Sequence, residues 1–252
     1  MGLSANLPWS LTSPGVIEIE NGGRIAGVDN RVIAALDTSD IGQAREWVSG
    51  LREHVFAFKI GHALTLARGL GALEDLRTVG AERVFLDLKF HDIPSVVALA
   101  VREAAHRGVW MLTMHASGGS QMMAAAAEAG RDGPILLGVT VLTSLDEAAL
   151  RGELGVERTV EEQVTELASL AVRSGLHGVV CSVHEAAAVR IRLGDGPVLV
   201  TPGISLGAGA SPDQRRTATA AEAFAAGASY VVIGRALTTS SDPAAALAEL
   251  GV

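Results

Sequence analysis

Three charged residues interrupt the hydrophobic segment at positions 84–94, whose sequence is Val-Phe-Leu-Asp-Leu-Lys-Phe-His-Asp-Ile-Pro. Asp87 and Lys89 are two residues apart, so a regular β-strand would point both side chains to one face. Asp92 follows, directly before an Ile-Pro pair that is typical of a helix start. Buried charges are costly unless they are paired. The segment therefore predicts either a structural ion pair or an active site.

The use of lysine favours the active site. The chain has only two lysines, Lys59 and Lys89, among its 20 basic residues. Both lie at the end of a hydrophobic segment. With Asp37, Asp87 and Asp92 they make a set of three carboxylates and two ammonium groups. Carboxylate neighbours keep a lysine cationic, and a cationic lysine is a proton donor rather than a Schiff-base nucleophile. The set predicts chemistry in which a carbanion forms and is protonated; the alternative is a purely structural charge network.

Composition narrows the class of protein. The chain has 252 residues, of which 48% are hydrophobic, a formal net charge of −8 and a single cysteine, Cys181. No apolar run approaches the ~18 residues of a membrane span, and no secretory signal is evident at the N-terminus. The negative charge without a basic block argues against nucleic acid or an anionic membrane as partners. We expect a soluble cytoplasmic protein without a disulfide framework.

A regular alternation of short apolar runs and helical segments begins at position 32. The predicted strands are 32–36, 56–60, 84–88, 110–114, 135–141, 178–181, 198–200 and 230–233. The predicted helices are 41–51, 69–79, 95–107, 120–129, 160–174, 185–193, 220–226 and 243–250. Eight strand–helix units indicate a single-domain α/β fold, a (β/α)8 TIM barrel spanning 31–252. An open sheet with extra strands is the alternative.

Residues 1–30 lie outside this pattern and form an N-terminal extension. Segments 16–20 and 24–28 flank an Asn-Gly-Gly sequence, which is a hairpin signal. We expect this extension to pack on the outside of the barrel.

Polar residues at the carboxyl ends of barrel strands form active sites in this fold. The predicted strand ends carry Asp37, Lys59, Asp87 with Lys89, His115, Thr143, Thr201 and Arg235. We interpret His91 as a surface or supporting residue and His115 as a core histidine. No spacing of His, Asp or Glu predicts a zinc site.

A phosphate site is predicted near the C-terminus. The segment 230–235 is a strand that ends in Gly234-Arg235, and barrels often bind phosphate after strands seven and eight. Gly234 would allow backbone amides to approach the phosphate, and Arg235 would supply a fork of donors. The small-residue loop 206–216 suits a lid, from which Gln214 would bridge phosphate and base.

Eight segments in order make the chain similar to the orotidine 5'-phosphate decarboxylase family from Val32 to the C-terminus. The segments are Ala35-Leu-Asp37, Phe58-Lys-Ile-Gly61, Phe85-Leu-Asp-Leu-Lys-Phe-His-Asp-Ile-Pro94, His115-Ala-Ser-Gly-Gly119, Val139-Thr-Val-Leu-Thr-Ser144, Thr201-Pro-Gly-Ile204, Asp213-Gln-Arg-Arg216 and Val232-Ile-Gly-Arg235. The resemblance implies decarboxylation of orotidine 5'-monophosphate to UMP without cofactor or metal. It also implies a (β/α)8-barrel homodimer with sites at the subunit interface.

The resemblance also implies roles for individual residues. Asp37 and Lys59 would bind ribose hydroxyls, Asp87 would lie against the substrate carboxylate, and Lys89 would protonate C6. Asp92 and Ile93 would reach into the partner's site. The remaining implied substrate-binding residues contact the pyrimidine or the phosphate: Thr143, Ser144, Pro202, Gln214, Gly234 and Arg235.

One departure from the family pattern concerns the lid. Many bacterial relatives have Arg after Thr-Pro-Gly-Ile, where this chain has Ser205. Ser205 removes one possible cation of the lid or phosphate site, for which Arg215 or Arg216 could substitute. Two alternative functions stay open: a Mg²⁺-dependent sugar-phosphate decarboxylase or aldolase on the same barrel, and a catalytically silent nucleotide-binding barrel.

Overall fold

The chain folds into a closed barrel of eight parallel strands. The computed structural model describes residues 10–13, 16–18, 31–204 and 218–249. The barrel strands are β3 (Val32–Ala35), β4 (Ala57–Ile60), β5 (Val84–Phe90), β6 (Met111–His115), β7 (Ile135–Val139), β8 (Gly178–Val180), β9 (Val198–Thr201) and β10 (Tyr230–Ile233). Neighbours in sequence are neighbours in the sheet, and β10 closes the barrel on β3. The predicted (β/α)8 fold is therefore confirmed, and the open sheet is wrong.

Helices alternate with the strands. They are α1 (Ile41–Leu51), α2 (His62–Arg68), α3 (Gly71–Arg77), α4 (Pro94–His106), α5 (Gly119–Ala129), α6 (Glu147–Gly152), α7 (Val160–Arg173), α8 (Val183–Leu193), α9 (Ala220–Ala225), α10 (Arg235–Thr238) and α11 (Pro243–Glu249), with a 3-10 turn at Ala116–Gly118. The short helices α2, α6 and α10 were not predicted. Their four to seven residues are too few to show a helical period in the sequence.

The local sequence accounts for where the main helices begin. Pro94 occupies the first turn of α4, where its missing N–H removes no helical hydrogen bond. Thr159 and Glu162 form a reciprocal capping box at the start of α7. Asp40 accepts hydrogen bonds from the first amides of α1.

Two apolar layers hold the barrel together. Outward-facing strand residues such as Ile60, Leu86 and Leu112 are buried in one cluster with the inner faces of the helices. Inward-facing residues such as Ile33, Leu137 and Val200 fill the barrel interior in a second cluster. The alternation of these two sets along each strand follows from the two-residue period of a β-strand.

An aromatic cluster closes the amino-terminal end of the barrel. The rings of Phe56, Trp110 and Tyr230 lie 5.4 to 5.5 Å apart, centroid to centroid. The Arg83 guanidinium lies 4.6 Å from the centroid of the Phe56 ring. Burial raises the pKa of the Tyr230 phenol to about 12. This end of the barrel is packed and apolar, which leaves the opposite end for chemistry.

An antiparallel hairpin precedes the barrel. It pairs β1 (Ser10–Ser13) with β2 (Val16–Glu18). The sequence predicted a hairpin that joins 16–20 to 24–28; the strand from Val16 is present but its partner lies on the N-terminal side. Segment 24–28 is outside the described residues. No helix in the described part of the chain is long and apolar enough to span a membrane.

Candidate active site

The charged residues predicted from the sequence meet at the carboxyl end of three adjacent strands. Asp37 follows β3, Lys59 lies in β4, and Asp87 and Lys89 lie in β5. Because β3, β4 and β5 are hydrogen-bonded neighbours, their ends converge on one side of the barrel mouth. The structure therefore brings four of the five predicted charged residues together.

Asp87 is the centre of this cluster. Its Oδ2 atom lies 2.8 Å from Lys89 Nζ and 3.6 Å from Lys59 Nζ. Lys59 Nζ also lies 3.2 Å from Asp37 Oδ1, so the charges alternate in sign around the mouth. The side chains of Lys59 and Asp87 are 11% and 12% exposed, whereas that of Lys89 is 29% exposed. Lys89 is thus the ammonium group of the pair that is more open to a ligand in the mouth.

The electrostatics of the cluster keep Asp87 ionised. Burial alone would raise the pKa of this carboxyl. The positive charges of Lys59 and Lys89 and the hydrogen bonds from Lys89 and Thr113 outweigh burial and lower the pKa of Asp87 below its usual value of 3.8. A negative charge is therefore fixed between two ammonium groups at neutral pH.

The backbone at Lys89 departs from a regular strand. Lys89 has a φ of 49°, and among the described residues it is the one non-glycine residue in the left-handed region. The register between β5 and β6 shifts between Leu86 and Phe90, as in a β-bulge. The sequence predicted that alternation alone would place Asp87 and Lys89 on one face. The observed bulge instead turns the lysine side chain back onto Asp87.

Thr113 was missed by the sequence analysis. It is fully buried in β6, where its hydroxyl donates to Asp87 Oδ1 at 2.8 Å and accepts from the Lys89 backbone N–H at 3.0 Å. In the sequence it is a threonine within Met111-Leu-Thr-Met-His115, which is an ordinary strand composition. The one usable signal was a hydroxyl at an inward-facing position of the strand next to β5.

Two histidines border the cluster. The rings of His91 and His115 lie 5.4 Å apart, and His115 is partly buried while His91 is exposed. Burial, together with the nearby His91 and Lys89, lowers the pKa of His115, and Asp87 opposes this effect. His115 thus borders the charged cluster at the barrel mouth and does not lie deep in the core.

Asp92 differs from the other predicted charged residues in that it belongs to none of their ion pairs. Its carboxylate is exposed and accepts from the Ile93 backbone N–H at 2.6 Å, just before α4. Within residues 31–204 and 218–249, Asp92 has no ion-pair partner. Ile93 is 62% exposed. The fifth predicted charge therefore takes no part in the ion pairs that join the four in the mouth.

The predicted phosphate and base positions also lie at the carboxyl ends of strands. Gly234 directly follows β10, and a Cβ atom placed there would lie 3.8 Å from Asp37 Oδ2, so the two predicted positions are neighbours. Arg235 is exposed at the start of α10. Thr143 and Ser144 lie in the turn after β7, and Pro202 follows β9. Gln214 and Ser205 lie outside the described residues.

The described residues show no metal-ligand geometry around these carboxylates. Across the described ranges, no group of three or more His, Cys, Asp and Glu side chains is arranged to hold a metal ion. Both oxygens of Asp87 already interact with Thr113 or with ammonium groups.

A closed parallel barrel with a buried carboxylate and two lysines at adjacent strand ends defines a (β/α)8-barrel enzyme. Residues 30–250 match the model of the orotidine 5'-phosphate decarboxylase / HUMPS family. The chain therefore belongs to this family, as the sequence predicted.

Individual relatives agree with this assignment. The chain is 51% identical over 223 residues to the orotidine 5'-phosphate decarboxylase of Neisseria meningitidis serogroup C, covering 87% of this chain and 90% of the relative. The enzyme of that name from Moorella thermoacetica is 46% identical over 225 residues, with 86% and 89% covered. A crystal structure of orotidine 5'-phosphate decarboxylase from Lactobacillus acidophilus superposes with a TM-score of 0.77 at 36% identity, covering 88% of this chain and 98% of that one.

Proposed function

We propose that the chain decarboxylates orotidine 5'-monophosphate to UMP and CO2, as a carboxy-lyase of pyrimidine biosynthesis. The observation that carries the proposal is the Lys89 ammonium 2.8 Å from the buried Asp87 carboxylate at the mouth of the barrel. Such a pair offers a fixed positive charge beside a fixed negative charge. The names of the relatives indicate orotidine 5'-monophosphate as the substrate. The two charges suit the loss of CO2 from this substrate and the protonation of the carbon left behind.

The reaction breaks the bond between C6 of the pyrimidine and its carboxylate. CO2 leaves, the electron pair stays on C6, and a proton must then be added to that carbon. In our proposal Lys89 stabilises the developing negative charge and donates the proton, after which its amine regains a proton from solvent. Asp87 lies against the substrate carboxylate and raises the energy of the ground state relative to the transition state.

Other residues would bind the parts of the substrate that do not react. Asp37 and Lys59, joined at 3.2 Å, face the mouth and are assigned to the ribose hydroxyls. Binding energy from the distant phosphate would position the base over Lys89. The residues assigned to the base and the phosphate are Thr143, Ser144, Pro202, Gln214, Gly234 and Arg235.

We infer that the active form is a homodimer with shared sites. Val96 and Leu99 on α4 are 45% and 63% exposed and continue an apolar stripe from Ile93. Large exposed apolar side chains grouped on one face are typical of a protein interface. Asp92 lies at the edge of this stripe, where it would reach the partner's site.

A cytoplasmic location stays a prediction from composition.

The direct test is to add orotidine 5'-monophosphate to the purified chain, with and without a chelator, and to follow the absorbance of the pyrimidine. We expect decarboxylation at the same rate in both samples. Activity that disappears with chelator and returns with Mg²⁺ would instead support the metal-dependent alternative. Binding of UMP without turnover of orotidine 5'-monophosphate would support the silent nucleotide-binding barrel.

A further inference from the structure

The hydroxyl of Thr113 connects Asp87 and Lys89, the two residues that act on the reacting part of the substrate in the proposed chemistry. It receives a hydrogen bond from the Lys89 backbone N–H at 3.0 Å and gives one to Asp87 Oδ1 at 2.8 Å. Thr113 itself is 0% exposed and belongs to β6, whereas Asp87 and Lys89 belong to β5. The contact is therefore a link between neighbouring strands as well as between two side chains.

The direction of both hydrogen bonds is fixed by chemistry. A backbone N–H can only donate, so Thr113 Oγ1 must accept from Lys89. An ionised carboxylate can only accept, so the single hydroxyl proton of Thr113 must point to Asp87. A hydrogen bond to an ionised group is stronger than one between neutral groups. These two hydrogen bonds leave the Thr113 hydroxyl no freedom to rotate. They also hold the Asp87 carboxylate through Oδ1, whereas Lys89 Nζ contacts Oδ2.

The backbone of Lys89 needs such a support. A φ of 49° is uncommon for a residue with a side chain, and such conformations persist only where the surroundings fix them. The regular pairing of β5 with β6 is interrupted between Leu86 and Phe90, so the ladder does not hold the Lys89 amide there. The Thr113 hydroxyl takes the place of the missing backbone acceptor.

We propose that Thr113 is a positioning residue that sets both the turn of the Lys89 backbone and the orientation of the Asp87 carboxylate. The inference rests on the proposed roles of Asp87 and Lys89. Thr113 acts on the reaction through these two residues. Its loss should therefore reduce the rate of the chemical step more than the binding of the nucleotide.

The test compares Thr113→Val with Thr113→Ser. Valine keeps the shape of threonine but removes the acceptor and the donor, whereas serine keeps both. We expect Thr113→Val to lower kcat about 10- to 100-fold, since misplacement of a reacting group by about 1 Å has effects of this size. KM and the affinity for UMP should stay within about threefold of the wild-type values, because the phosphate contacts are remote from β6. Thr113→Ser should keep most of the wild-type kcat.

Thr165→Val is the matched control. The Thr165 hydroxyl also contacts two groups, because it shares its single proton between the carbonyls of Glu161 and Glu162, but it lies within the outer helix α7. We expect wild-type kcat from this variant. Should Thr113→Val fail to fold, Thr113→Ala, which removes the hydroxyl without adding bulk, is measured in its place with the same expectation.

Three results would overturn the inference: a kcat within about twofold of wild type for the folded variant without the hydroxyl, an equal loss in Thr113→Ser, or a change confined to KM. Lys89→Ala is measured in parallel. If Lys89→Ala also keeps its turnover, the proposed chemistry fails. If only the Thr113 variant keeps it, the positioning role alone is wrong.

Discussion

Lys89 Nζ lies 2.8 Å from Asp87 Oδ2, and the backbone that carries this lysine adopts a φ of 49°. On a regular strand, two side chains on one face two residues apart stand parallel to each other. The bulge in β5 instead directs the ammonium group onto the carboxylate. The structure thus holds a positive and a negative charge side by side at the mouth of the barrel, where fixed charges can act on a developing charge.

Removing the Asp87 carboxylate should destabilise the fold. Asp87→Ala leaves Lys59 and Lys89 as close like charges and leaves the Thr113 hydroxyl without its acceptor. We expect the free energy of unfolding at pH 7 to fall by about 2 kcal/mol in urea titrations. Because the pKa of Asp87 is lowered in the folded state, the wild-type advantage should persist above pH 3.8 and disappear as the pH falls through the lowered pKa.

Asp75→Ala is the control for this prediction. Asp75 also forms a close ion pair, with Arg68 at 2.7 Å, but the Arg68 side chain is 53% exposed. An exposed pair contributes little to stability because water screens it. A loss in Asp75→Ala as large as in Asp87→Ala would contradict the importance we assign to burial.

The stability of the barrel should decrease below neutral pH through His177. The Leu136 backbone N–H donates to His177 Nδ1 at 3.0 Å, which requires a neutral ring, and burial lowers the pKa of His177 below 6.5. A group whose pKa is lowered on folding contributes stability that is lost as the pH falls through the lowered value. Between pH 7 and 5, urea titrations should show a steeper loss in wild type than in His177→Asn. The exposed His106→Asn serves as control, and a slope unchanged in His177→Asn would refute the prediction.

The shared-site dimer predicts complementation between two inactive variants. Lys89→Ala subunits keep Asp92, and Asp92→Ala subunits keep Lys89, so a mixed dimer contains one intact site. We expect each variant alone to be inactive and an equal mixture, unfolded and refolded together, to recover about a quarter of wild-type activity per subunit. The readout is turnover of orotidine 5'-monophosphate. No recovery, with mixed dimers shown to be present, would place Asp92 outside the partner's site.

The sequence was sufficient to predict the barrel and the charged residues at its mouth. Buried parallel strands are continuous apolar runs, so a charge such as Asp87 or Lys59 at the end of a run is conspicuous. The repeated alternation of strand and helix then permits few topologies for the sheet. In a parallel barrel the carboxyl ends of the strands must converge. The assignments to the phosphate, to the base and to the partner subunit stay predictions.

Features that depend on contacts between distant segments could not be predicted. Thr113 meets Asp87 only because β6 pairs with β5, and the left-handed Lys89 has no local signal such as glycine or asparagine. Arg190 is another example. Its guanidinium donates to the carbonyls of Gly194, Pro197 and Gly227, which are loop atoms that no side-chain pattern reveals. Pairing with backbone carbonyls is set by the tertiary fold alone.

Lys89→Ala and Lys89→Arg test most directly whether Lys89 gives its proton to C6. Arginine keeps the positive charge but does not release a proton at neutral pH. We expect both variants to lower the turnover of orotidine 5'-monophosphate by about 10³-fold or more, while UMP binding stays measurable by calorimetry. Near-normal turnover in either variant would contradict the assignment of Lys89 as the proton donor.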